Sequence, residues 1–178
     1  MRILPYITLT ATLLAQPLTA AEMKPEPTGD AAPMMMIDTN SFVKTVASAN
    51  EFEIQSSELA LKDATNASIK DTATMIIADH KKAGDKLKKL LEAKKLETPP
   101  MELAPKHQKM LDQLKGAKGK DFDILYLDTQ AQAHLEAVGI FRTYAGSGDN
   151  QAIVGFAKET LAALETHLAH IKMIIAEE

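Results

Sequence analysis

Apolar residues recur along this chain at spacings of three and four in four separate stretches, and each stretch predicts one long helix. The first is expected to start near Thr39, with Asp38 or Thr39 as N-cap, and to reach about Ala64. Its inward stripe reads Phe42, Val46, Ala49, Glu53, Ser57 and Ala60. The second runs from about Ala67 to Leu96, with Ile69, Ala73, Ile76, His80, Ala83, Leu87 and Leu90 on one face. The third starts after Asp121 and ends near Ala145. On it Leu127, His134, Val138 and Phe141 share a face, with Tyr126 and Ala137 beside them. The fourth starts after Asp149 and carries Ile153, Phe156, Thr160, Leu164, His167, Ile171 and Ile174. No alternating strand pattern accompanies them, so the expected class is all-α, a four-helix bundle.

The first and last pairs of helices are joined by short connections, which makes each pair an antiparallel hairpin. Between the hairpins lies Glu97 to Lys120, with Thr98-Pro99-Pro100 at one end and GAKGK at the other. Met110, Leu111 and Leu114 mark a short extra helix inside it. To cross the bundle from end to end the connection must span roughly 40 Å, which one short helix with extended flanks supplies. Two hairpins joined by such a crossover have ferritin-like topology. An up-down-up-down bundle with a decorated loop is the alternative.

The residues before the first helix read differently. Arg2, the interrupted apolar run Ile3 to Leu18, and the small residues Thr19, Ala20 and Ala21 predict a cleaved secretory signal over residues 1–21. Residues 22–38, with three prolines and no helical period, predict a flexible tether. The bundle domain then occupies residues 39–178, and the expected location is the bacterial periplasm. No later stretch is apolar enough to span a bilayer.

Composition narrows the function. The chain has no cysteine, which removes disulfides, thiolate ligands, a cysteine nucleophile and a lipoprotein anchor. Without the signal it carries 19 basic residues against 24 acidic ones, a formal charge of −5. Mild acidity, absent Trp and 4% aromatic residues argue against a nucleic-acid partner. The sequence assigns no protein partner or oligomeric state. It contains no nucleophile elbow or Gly-rich phosphate loop, so the reading is non-enzymatic. Seven lysines between Lys81 and Lys95 fit an ordinary solvated helix face.

Each inward stripe nevertheless carries one residue that is expensive to bury: Glu53, His80, His134 and His167. Two readings follow. Either these groups satisfy one another in a polar layer that fixes helix register, or they converge on a transition metal. Nitrogen-rich ligation suits copper, zinc or iron. Measured from the first hairpin turn, Glu53 and His80 differ in height by roughly 4–5 Å, which predicts a direct contact. Measured from the second, His134 and His167 differ by roughly 9 Å. That mismatch predicts two tiers: one of Glu53 and His80, within reach of His134 as a further member, and a second of Asp123, Tyr126 and His167. Glu-x-x-His pairs are absent, so a di-iron carboxylate centre is not expected. Met34-Met35-Met36 offers thioethers suited to Cu(I) but lies in the tether.

From Ser41 to Ile174 the chain resembles the family called domain of unknown function 4142, often labelled an outer membrane protein. The resemblance lies in ANEFEIQSSELALKDA, MIIADH, FDILYLDTQAQAHLEAV and FAKETLAALETHLAHI. The family's recurring positions fall on Glu53, His80, Phe122, Asp123, Tyr126, His134 and His167. The resemblance implies a ferritin-like helical fold and export, and no established activity. One departure is LAALETHL, where relatives tend to have a proline after the first leucine; His167 stays in place. The outer-membrane label does not suit a chain without barrel strands.

Overall fold

The computed structural model describes residues 37–100 and 102–177. The expected signal over 1–21, the tether up to residue 36 and the Met34-Met35-Met36 run lie outside the described residues. Five helices follow in order: α1 Thr39–Asp63, α2 Ala67–Lys94, α3 Pro105–Gly116, α4 Gly119–Ser147 and α5 Gln151–Glu177. Among the described residues none of these is long and apolar enough to cross a membrane.

Short polar side chains set the starts. Asp38 caps α1 by accepting from the Ser41 N–H, and Asn66 caps α2 by accepting from the Ser68 N–H. Asn150 does the same for α5, at Ala152 and Ile153. Three ends differ from the sequence expectation. Lys95 enters the left-handed region at φ 54°, and the Leu96 N–H turns back to the Leu91 carbonyl, so α2 closes at Lys94 instead of reaching Leu96. Gly119, at φ 59°, lets α4 begin before Asp121, and α4 continues past Ala145 to Ser147.

Contacts between α1 and α4 decide the topology. Phe42 near the start of α1 stacks on Tyr144 near the end of α4. Ser57 near the end of α1 hydrogen-bonds Tyr126 near the start of α4, at 2.9 Å. The two helices are therefore antiparallel. Since each hairpin is antiparallel too, α2 and α4 run in the same direction, and the chain between them must return along the bundle. It does so as a crossover, and the up-down-up-down alternative is excluded. The extra helix α3 forms part of that return. Ser48 on α1 anchors its start by accepting from the Ala104 N–H at 2.7 Å and contacting His107 Nδ1 at 2.7 Å. Its Leu111 and Leu114 are buried.

The core consists of two apolar clusters. One gathers Phe42, Leu91, Phe141, Tyr144, Ile153 and Leu164 at the end where the crossover departs. The other gathers Phe52, Ile76, Leu114, Phe122, Tyr126 and Ile171 at the end where it arrives. Glu53, His80, His134 and His167 lie at the seam, each between residues of the first cluster and residues of the second along its own helix. Apolar packing on both sides thus fixes the position of a polar layer.

Candidate metal centre

At the seam, α2 contributes His80, α4 contributes His134 and α5 contributes His167. All three are buried, at 7%, 0% and 2% exposure. Each offers a ring nitrogen, and these three nitrogens lie within 4.8 Å of one another. The ring centroids are 5.4 to 5.7 Å apart, so the imidazoles form a compact triangle drawn from three helices.

The other nitrogen of each ring is already engaged. His80 Nδ1 lies 3.1 Å from Asn50 Oδ1. His134 Nδ1 lies 3.0 Å from the Gln130 carbonyl, and His167 Nε2 lies 2.9 Å from Asp79 Oδ2. Carbonyl and carboxylate oxygens only accept, so each ring spends its single neutral-state proton on this outer partner. The remaining nitrogens, His80 Nε2, His134 Nε2 and His167 Nδ1, then present lone pairs inward. That is the outer-partner arrangement by which proteins orient imidazole ligands.

Electrostatics favour the same state. Burial, reinforced by the other two histidines, holds His80 well below the usual imidazole range. Burial, then the charge His167 would carry, pushes His134 down to about 4 against the pull of the Gln130 carbonyl. Both are neutral at pH 7, as a metal ligand must be. Burial likewise pushes Glu53 up to about 8 against a hydrogen bond from Gln130. Its Oε1 lies 3.6 Å from His134 Nδ1, too far for a hydrogen bond. Glu53 and His134 meet as neutral groups and do not form an ion pair.

The sequence-predicted residues are therefore redistributed. His80, His134 and His167 come together, and Glu53 borders them through His134. The expected Glu53–His80 contact is replaced by Asn50–His80, one helical turn earlier on α1. The expected second tier does not form. His167 leaves it because thirteen residues separate His134 from Ser147 and sixteen separate Gln151 from His167. The height difference is then about 4.5 Å, half the value expected from a shorter α4. Asp123 instead binds the α1–α2 turn, accepting from the Thr65 N–H at 2.9 Å, the Asn66 N–H at 3.2 Å and the Thr65 hydroxyl. Tyr126 pairs with Ser57, and burial pushes its hydroxyl up. The sequence reading missed Asn50, Asp79 and Gln130. Asp79 stands next to His80, and Gln130 precedes His134 by one turn, the spacing at which a carbonyl meets a side chain.

Sequence comparison bears on the whole domain. The model of a family described as "Domain of unknown function (DUF4142)" matches residues 24–174. The chain belongs to that family. No curated protein matches the DUF4142 chain in sequence. In fold it is similar to the solved structure "CopM in the Cu(II)-bound form", with a TM-score of 0.69 and 20% identity, over 80% of this chain and 99% of that one. It is also similar to a DUF305 fragment from Deinococcus radiodurans, with a TM-score of 0.67 and 10% identity, over 77% of this chain and 94% of that one. At these identities the likeness establishes a shared helical-bundle fold.

Proposed function

We propose that this DUF4142 chain is an exported, non-enzymatic module of the cell envelope that binds a transition-metal ion, copper foremost, through His80, His134 and His167. One observation carries the reading. His134 Nε2 and His167 Nδ1 lie 3.3 Å apart with their partner nitrogens committed elsewhere. Two lone pairs at that distance repel unless a proton or a cation stands between them. Two nitrogens each bound at about 2.05 Å to one tetrahedral ion would be about 3.3 Å apart. His80 adds a third nitrogen, Nε2, which is buried and has no hydrogen-bond partner.

The donor set favours the metal choice. Three imidazoles without thiolate suit copper or zinc, and among divalent ions Cu(II) binds such a site most tightly. The fold is shared with a protein solved in a Cu(II)-bound form. Glu53, neutral and turned toward the outer side of His134, supports a ligand in this reading. Export rests on the signal-like residues 1–21, and periplasmic location follows from it.

The test is a titration of metal-free protein with Cu(II) against a chelating competitor, with electron paramagnetic resonance of the complex. One ion per chain with nitrogen splitting is expected, and His80→Ala or His134→Ala should weaken binding at least 100-fold. Equal binding by wild type and both variants would reject the metal reading. A second reading, a polar layer that only sets helix register, is favoured by the outer partner each ring already has. It predicts no stoichiometric metal and a large stability loss in the same variants. Cell fractionation and the N-terminal sequence of the purified protein test export.

A further inference from the structure

Beside the histidine trio lies a pocket of about 210 Å³, lined by all four long helices and by Thr98 and Pro99 of the crossover. Its walls are apolar, formed mainly by Val46, Leu87, Leu91, Phe141, Phe156 and Leu164. The space exists because facing helices present small residues to it, among them Ala49, Ala83, Gly84 and Ala163. A Cβ added at Gly84 would come within 3.0 Å of the Asn50 amide nitrogen.

The polar part of the lining includes Asn50, Glu53 and His80. Among the described residues, four buried side-chain nitrogen or oxygen atoms have no hydrogen-bond partner. Two of the four, Asn50 Nδ2 and Glu53 Oε2, belong to these pocket residues and lie outside the histidine trio. Glu53 and His80 are only 3% and 7% exposed, so bulk water does not reach them freely. Natural interiors seldom leave such groups unpaired, and a concentration of them against an apolar cavity marks a place where a ligand's polar group belongs.

We propose that this pocket binds a small uncharged organic molecule with an apolar body and a single oxygen head, the head accepting a hydrogen bond from Asn50 Nδ2. Size follows from comparison: an apolar cavity of roughly 150 Å³ holds one benzene molecule. The pocket here accommodates an aromatic or aliphatic ring with a few added atoms. Absence of charge follows from the lining, where the Asp79 carboxylate is already taken by His167 Nε2 at 2.9 Å. The one lysine in the lining, Lys88, is solvent-exposed. A buried carboxylate would find no cation at the Asn50 end. His80 and His167 belong to both this pocket and the trio, so the two sites share a wall. The proposal goes beyond metal binding and does not depend on it.

The experiment uses the metal-free full chain with two probes of matched shape, acetophenone and ethylbenzene, followed by protein-observed NMR and calorimetry. Acetophenone should saturate one site at submillimolar concentration and shift the Asn50 side-chain amide signals. Ala83→Leu, which fills the void from α2, should weaken both probes at least tenfold; if that variant fails to fold, Ala163→Leu fills it from α5. Asn50→Leu should lower the ratio of acetophenone to ethylbenzene affinity at least fivefold. Absence of saturation, unchanged binding in the filled variants, or an unchanged ratio in Asn50→Leu would each overturn the proposal. Copper titrations of wild type and the filled variants read the histidine centre separately, so either site can fail without the other; Asn50→Leu also removes the His80 partner and is read by the probe ratio alone.

Discussion

His134 Nε2 and His167 Nδ1 face each other across 3.3 Å while their opposite nitrogens hold the Gln130 carbonyl and the Asp79 carboxylate. The pair brings together α4 and α5 at one level of the bundle, and His80 closes the triangle from α2. Each outer partner acts on the inner nitrogen by fixing where the proton resides.

Asp79 offers the cleanest test of that dependence. Its side chain is 48% exposed, so its removal should leave the fold nearly unchanged. Asp79→Ala frees His167 to place its proton inward and should weaken Cu(II) binding about 10–100-fold. Competition titration measures this, and equal affinity in variant and wild type would contradict it.

Acid and base should destabilise the metal-free protein through different groups. The folded chain keeps a proton on Glu53 up to about pH 8, whereas the unfolded chain loses it near 4.5. This group therefore contributes stability at low pH that is lost as pH rises toward 8. His134 and His80 work the other way, because the fold refuses protons that the unfolded chain accepts below 6.5. Their contribution is lost as pH falls from 6.5, for His134 down to about 4. Glu53→Gln should thus remove up to about 2 kcal/mol of the decline between pH 6.5 and 8, since one unmatched proton changes stability by about 1.4 kcal/mol per pH unit. Urea unfolding in chelator at the two pH values decides it, the acid limb remaining in both proteins.

Asp123 predicts a structural loss without a functional one. Its carboxylate receives the turn amides of Thr65 and Asn66 and the Thr65 hydroxyl. Asp123→Ala strands these donors and should cost about 3 kcal/mol, as removal of charge-assisted hydrogen bonds does. Copper stoichiometry should stay the same at a temperature where the variant is folded.

Two helix-interior glycines should answer differently to alanine. Gly139 has open space where a Cβ would go, and Gly139→Ala should stabilise by about 0.5–1 kcal/mol. Gly84→Ala should gain less than half of that, because its Cβ presses on the Asn50 amide that orients His80. Denaturant midpoints compare the two, and equal gains would show that Asn50 yields freely.

Periodicity placed the apolar stripes because burial is what the pattern records. Phe42, Val46, Ala60, Ile76 and Phe141 are buried as their spacing requires. It also placed Glu53, His80, His134 and His167 inward, since residues sharing a stripe share its burial. It did not show which of them meet. Contact across helices depends on where each helix ends, and two extra residues on α4 with a later start of α5 halved the height gap between His134 and His167. The partners of the imidazoles were harder still to see. Asp79 stands on an exposed flank, and Gln130 acts through its backbone carbonyl, for which side-chain identity gives no signal. The crossover was readable as one of two options, and only the antiparallel pairing of α1 with α4 chose between them.

That crossover is the sole covalent tie between the two hairpins. His80 belongs to the first, His134 and His167 to the second. An ion held by all three would act as a removable rivet between halves of one polypeptide. A chain nicked by protease between α2 and α3 should stay in one piece with copper bound and separate more readily once a chelator strips it.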